Sequence, residues 1–294
     1  MKNHTIATYC VQLIATVASC VLPISSSFGH SLMVETKAQL SYSLLSGGSG
    51  ASSVHSSSDT SVTNAGASIT AEISGVAMES RGRASYRSIG AESSLSGFYT
   101  LQQSIDGLAT WYEGPMVYAI STAVDEFTIS SPGSTTGIMT LNMLLEGSLS
   151  RFLSAKPELR ISATAHQDGQ TIMSMMQIYT DLDGIVNKTV QTPAFSFLMG
   201  SPITIEWSLN SNCQLPTNKF TQTSAYGSAS SSFYGTATLS SVSVRDADGI
   251  ALPWSATSAS GTDYTVTVIP EASTSLLGCC VIALVLRRRR TTDG

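Results

Sequence analysis

Ile203-Thr204-Ile205-Glu206-Trp207-Ser208-Leu209 alternates apolar and polar residues without a break. An extended backbone puts Ile203, Ile205, Trp207 and Leu209 on one face and Thr204, Glu206 and Ser208 on the other, whereas a helix would scatter the same apolar set around its axis. A period of two thus selects a strand with one buried and one wetted face, the habit of antiparallel sheets. The period recurs in Phe127-Thr128-Ile129, from Arg160 to Ala165, from Thr236 to Arg245 and in Tyr264-Thr265-Val266-Thr267-Val268. Met139 to Leu145 and Ile172 to Tyr179, both short apolar runs, also read as strands. Asp168-Gly169, Asp181-Leu182-Asp183-Gly184 and Asp246-Ala247-Asp248-Gly249 punctuate them, and Asp-Gly supplies the positive φ that hairpin turns need. Many short strands spaced by such turns predict an all-β fold, an antiparallel β-sandwich of jelly-roll type.

Two stretches are less periodic. Residues 46–66, nearly all Ser, Gly, Ala, Thr and Val, read as a flexible loop or a sheet edge. Residues 78–120 scatter Tyr86, Tyr99, Trp111, Tyr112 and Tyr118 without a clear pattern.

The two ends differ from this body. Residues 1–29 read as a secretory signal: Lys2 and His4 open it, Ile6 to Leu22 is mostly apolar, and Ser25-Ser26-Ser27 supplies small residues for cleavage after Ser27 or Gly29. Val17-Ala18-Ser19-Cys20 offers a narrower alternative, a lipobox with Cys20 as the lipidated residue, although Val21-Leu22-Pro23 prolongs the apolar run beyond it. At the other end, the apolar run Leu276 to Leu286 precedes Arg287, Arg288, Arg289 and Arg290, a cluster that halts translocation and stays on the cytoplasmic side. A helix over 276–286 is about 17 Å long, against a hydrocarbon core of about 30 Å. So short a span suits a temporary handle better than a permanent stem.

Pro270-Glu271-Ala272, the Leu-rich helix 276–286 and Arg287 to Arg290 resemble the PEP-CTERM sorting signal carried by many secreted proteins of Gram-negative, biofilm-forming bacteria. Ala272 stands where the second proline of the name would be, leaving Pro270-Glu271 as the match. The resemblance implies recognition by exosortase, a membrane-embedded peptidase, after transient anchoring in the inner membrane. It further implies delivery to the cell surface or extracellular matrix and association with exopolysaccharide in a biofilm. Residues 236–265, "TATLSSVSVRDADGIALPWSATSASGTDYT", are also similar to the closing strands of β-sandwich domains common in PEP-CTERM proteins, and bring no catalytic residue with them. The chain accordingly divides into a signal peptide (1–29), an exported β-sandwich domain (30–268) and a sorting signal (269–294).

Composition bounds the partners. The chain carries 15 Lys+Arg and 20 Asp+Glu; removing Lys2 and the four terminal arginines leaves 10, and removing Glu271 and Asp293 leaves 18, so residues 30–268 carry −8. That balance disfavours nucleic acid and anionic membrane surfaces. Of five cysteines only Cys213 lies in the body, where it reads as a small buried apolar residue. With no internal disulfide to draw on, the body relies on its core. At about 240 residues it is long enough for one domain.

Each candidate chemistry has a blander counterpart. The Asp-x-Asp-Gly turns begin as a calcium loop does, but the twelfth positions are Thr192 and Thr257 where a bidentate Glu is needed, so tight turns are expected. His166 ends a strand beside Asp168, and His30 and His55 lie far from it in sequence; no spacing calls for zinc or another cofactor. A surface hydrolase would require His166 within reach of a Ser or carboxylate, and no Gly-x-Ser-x-Gly elbow is present. Trp207 alternates with core positions. Trp111, Tyr112 and Trp254 are the better candidates for stacking on sugar, in a carbohydrate-binding module of the matrix. The leading expectation is a non-enzymatic, exported surface or matrix protein.

Overall fold

The computed structural model describes residues 30–44, 49–100, 109–180, 182, 184–216 and 224–265. The expected signal peptide (1–29) and the expected sorting signal (269–294), with Pro270, Glu271, Ala272 and Arg287 to Arg290, lie outside the described residues. So do Asp181 and Asp183.

The described strands are β1 (His30–Leu44), β2 (Ser49–Ser61), β3 (Ala65–Ile73), β4 (Val76–Ser85), β5 (Ser88–Thr100), β6 (Ala109–Ser130) and β7 (Thr136–Leu153), then β8 (Lys156–Gln167), β9 (Gln170–Thr180), β10 (Ile185–Gln191), β11 (Phe195–Leu198), β12 (Pro202–Gln214), β13 (Ser224–Arg245) and β14 (Ser255–Ser258). They form two seven-stranded sheets in which the named pairs run antiparallel. The first has the order β2-β1-β6-β12-β8-β9, with β14 also on β6; the second has β10-β7-β13-β5-β4-β3, with β11 also on β7. β12 thus lies between β6 and β8, and β13 between β5 and β7.

Alternation explains the stacking of the sheets. Along β12 every second residue from Ile203 to Cys213 is buried, and β8 buries Leu159, Ile161, Ala163 and Ala165 in the same way. These faces meet Ile89, Ala91, Leu141, Met143, Leu145 and Phe233 of the second sheet in one large apolar cluster. A smaller cluster gathers Ala38, Met78, Leu95, Tyr99, Val117 and Leu215. The described part of the segment 46–66 is an edge: β2, from Ser49, ends the first sheet and β3 ends the second. The legible turn is confirmed at Asp168-Gly169, where φ of 52° and 74° at the two central residues is the backbone of a two-residue hairpin. Of the strand expected over Tyr264–Val268, Val266 to Val268 lie outside the described residues, and Tyr264 and Thr265 belong to no strand, because the Tyr264 ring is drawn inward as a plug instead of alternating along a sheet edge.

The long strands give the body a direction. His30 pairs with Asp125 near the end of β6, while Leu44 pairs with Ala109 at its start. Thr100, the last residue of β5, pairs with Ser224 at the end where β6 begins. The body therefore has a near end, holding His30 and residues 255–265, and a far end.

Candidate functional site

At the near end, β6 places Asp125 in the inward phase of the run Ala119, Ser121, Ala123, Phe127, Ile129, where the other members are apolar or small. A buried carboxylate must be hydrogen-bonded to be tolerated. Tyr264 Oη donates to Asp125 Oδ2 at 2.7 Å, Ser260 Oγ donates to the same oxygen, and the Ser260 amide donates to Oδ1 at 3.2 Å. The Tyr264 ring packs on Phe127 with centroids 5.2 Å apart. Burial first, and then the Asp125 carboxylate, push the Tyr264 phenol well above the ordinary tyrosine range. Arg87 Nη1 adds a bond to the Asp263 carbonyl at 3.0 Å, and the Ala259 amide bonds the Glu126 carbonyl at 2.8 Å. The "SASGTDY" stretch is thus a clasp closing the near end, immediately before the tail.

In the middle, small polar residues separate the two apolar clusters. Ser93 Oγ and Ser211 Oγ are 2.8 Å apart, Ser211 Oγ donates to the Ser231 carbonyl, and Ser121 Oγ donates to the Gly90 carbonyl at 2.7 Å. The sheets approach so closely here that a Cβ on Gly82 would lie 2.5 Å from Val34 Cγ1; within the second sheet, the bulge of β13 comes so near β5 that one on Gly90 would lie 1.8 Å from the Tyr234 carbonyl. Cys213 sits in this belt, its Sγ donating to the Ser93 carbonyl at 3.3 Å. Burial pushes its thiol up to about 12. A thiol so placed is no nucleophile.

An open cleft of about 350 Å³ lies between the β8–β9 turn and β11, lined by Gln167, Asp168, Gln170, Ile172, Phe197 and Leu198 among others. Its floor is structural. Gln167 Oε1 accepts from the Leu198 amide at 2.8 Å and Nε2 donates to the Leu198 carbonyl at 2.9 Å, a side-chain imitation of a strand pair that ties the two sheets together. His166, one residue earlier, faces the opposite side of β8, so it does not line the cleft. Its Nδ1 meets Thr171 Oγ1 at 3.1 Å. Glu206 on neighbouring β12 is raised by burial and drawn back by His166. A hydroxyl, an imidazole and a carboxylate therefore share one area of the outer sheet face, and none of the three lines that cleft.

The turn at Asp246 is held by its own carboxylate: Oδ1 accepts the amides of Asp248 at 3.0 Å and Ile250 at 2.8 Å. Thr192, the twelfth position counted from Asp181, spends its hydroxyl on the Leu141 amide at 3.0 Å. The Asp246 bonds are the tight-turn chemistry expected there; the carboxylates of the other turn, Asp181 and Asp183, lie outside the described residues. Among the described residues no three His, Cys, Asp or Glu side chains gather as metal ligands would.

The predicted sugar-stacking residues are not brought together. Trp254 is half-buried, packed against the main apolar cluster. The backbones of Trp111 and Tyr112 pair with Ser43 and Tyr42 in the far half of the first sheet, and their side chains lie outside the described residues. The exposed aromatics are others. Phe98, Phe152 and Tyr226, with Leu153, are each about half or more exposed at the far end of the second sheet. Tyr226 pairs directly with Phe98 across β13 and β5, and meets the Phe152 ring edge-on with centroids 6.3 Å apart. A readable sign was the Phe98-Tyr99 doublet: adjacent strand residues face opposite sides, so burying Tyr99 exposes Phe98. Asp125 was readable too, as the charged member of an inward-facing run.

No family model matches the chain, and no curated protein matches it significantly.

Proposed function

We propose that the protein is an exported, non-enzymatic surface or extracellular-matrix protein whose body is a jelly-roll β-sandwich. The strand order supports the fold. After β5 the chain passes back and forth between the sheets, one or two strands at a time, and the late strands β12 and β13 insert inside each, as in the Greek keys of a jelly roll. The observation that carries the function is the pair of chain ends, a secretory signal before His30 and a PEP-CTERM-like tail after residue 268. The clasp at Asp125 is compatible with it. Both ends of the body leave from its near end, so a tail held in the inner membrane, awaiting an exosortase-type peptidase, projects the remainder outward.

The test is fractionation of cells producing the full-length chain or a version lacking residues 269–294. Only the full-length chain is expected at the surface or in the matrix; equal arrival of both sinks the sorting reading. A second reading, a carbohydrate-binding module of the polysaccharide matrix, is favoured by the exposed aromatic corner of Phe98, Phe152 and Tyr226, since aromatic faces stack on the apolar faces of sugar rings.

A further inference from the structure

On the outer face of the second sheet, alternate residues of neighbouring strands stand in register behind the aromatic corner. Tyr226 pairs with Phe98; two residues further along β13, Ser228 lies between Phe152 of β7 and Ser96 of β5, and Ser230 lies between Ser150 and Ser94. Ser232 then pairs with Glu92, which faces Arg81 of β4. A strand advances about 3.4 Å per residue, so the path from Tyr226 to Ser232 is about 20 Å long. The aromatic corner walls one end of it. The other end is closed by charge already matched: the Arg81 guanidinium bonds Glu92 at 2.7 Å and lies 4.4 Å from the centroid of the Tyr234 ring. Between these ends the floor is low and polar. Among the described residues, the hydroxyls of Ser94, Ser96, Ser150, Ser228 and Ser230 are spent on no protein partner, whereas on the outer face of the first sheet Ser162 and Ser208 bond each other at 2.8 Å.

We propose that this face binds a neutral polysaccharide in extended form, lying along β13 from the aromatic corner to the Arg81–Glu92 pair. The inference rests on the carbohydrate reading above and gives it a ligand class and a direction. A sugar ring has apolar faces and a rim of hydroxyls. Phe98, Phe152 and Tyr226 suit the faces, and the unspent serine hydroxyls, each a donor and an acceptor, suit the rim. Small side chains keep the floor low, so a chain can lie flat along it. Charge selects a neutral chain: the body carries −8, Arg81 is matched by Glu92, and Glu79 beside Ser94 repels an acidic one. The same balance disfavours an anionic lipid surface. A second copy or an apolar protein partner would dry the serine hydroxyls without pairing them, which is costly. Because the hydroxyls follow a strand and do not ring a pit, each added sugar meets more of them.

The experiment titrates the full-length chain in mild detergent with neutral gluco- and manno-oligosaccharides and with oligogalacturonates, each from disaccharide to hexasaccharide. A neutral hexasaccharide is expected to bind about tenfold or more tighter than its disaccharide, and the acidic series more weakly than the neutral one. Ser94→Ala/Ser230→Ala removes two outward-facing hydroxyls and is expected to weaken hexasaccharide binding about tenfold, leave disaccharide binding at the corner unchanged and keep the wild-type urea midpoint. Ser174→Ala, at an exposed position of the first sheet, is expected to change neither. Binding that does not grow with length, that survives the double substitution, that falls equally in Ser174→Ala or that favours the acidic series overturns the proposal while the carbohydrate reading stands. A wild type that holds none of these oligosaccharides overturns both.

Discussion

Cys213 and Tyr264 hold their protons because the surroundings penalise the charged forms. Cys213 is raised from its ordinary 9.0 to about 12, chiefly by burial, and Tyr264 is raised by burial and by Asp125. A raised folded-state value means the unfolded chain releases the proton first, so stability is complete below about pH 9 and is lost progressively towards pH 12. The expected outcome is a denaturation midpoint that falls across that window, with a shallower fall in Cys213→Ala; identical slopes in the two proteins would show that the thiol is not buried as described. Glycine supplies a second test at this scale. Gly90→Ala pushes a methyl into the Tyr234 carbonyl, a backbone atom that cannot swing aside, and is expected to cost about 3 kcal/mol or more in urea unfolding. A loss under about 1 kcal/mol would mean that the bulge of β13 lies farther from β5 there.

Among the described elements, the closing strand β14, like β11, is held by only four paired residues to one neighbour. β14 has four residues, and the stretch after it depends on Asp125 for its anchorage. Asp125→Ala leaves the Tyr264 hydroxyl and the Ser260 amide without their acceptor, at a cost of about 1–3 kcal/mol, and is expected to expose residues 255–265 to limited proteolysis while the rest of the body resists. Cleavage at the same rate in wild type and variant would count against the clasp. Gln167 performs a comparable service between β8 and β11, but its two bonds join sheets already packed together. The strands themselves were largely legible. Those seeded by Ile203–Leu209, Arg160–Ala165 and Thr236–Arg245 lie where the period of two puts them. The stretch 78–120 was opaque because Gly82 and Ser93 occupy inward positions where the sheets nearly touch, so the buried phase is written there in small residues and not in large apolar ones.

At the scale of the whole molecule, polarity is the organising fact. His30 and Tyr264 converge on Asp125 at the near end, and the aromatic corner lies at the far end. A body tethered at its near end would present Phe98, Phe152 and Tyr226 away from the membrane. If that corner meets polysaccharide, full-length protein should be retained on a glycan array or a matrix-polysaccharide column, and Phe98→Ala/Tyr226→Ala should weaken retention about tenfold or more, since stacking pairs of this kind contribute about 0.5–1.5 kcal/mol each. Retention unchanged by the double substitution would rule the corner out, and a blank array with the wild type would remove the carbohydrate reading altogether.

By itself the sequence determined the secondary structure class, the hairpin at Asp168-Gly169, the burial of Trp207 and Cys213, and the acidic character of the body, because side-chain alternation and Asp-Gly backbone preferences are local properties. Tertiary structure alone decided which aromatics reach solvent, that Asp125 and Tyr264, 139 residues apart, share a hydrogen bond, and that the uncharged β9 lies at an edge. The physical reason is pairing. A strand's period says which side chains share a face, but its neighbours are chosen by long-range contacts between sheets, and those contacts decide whether a face or an edge is covered or open.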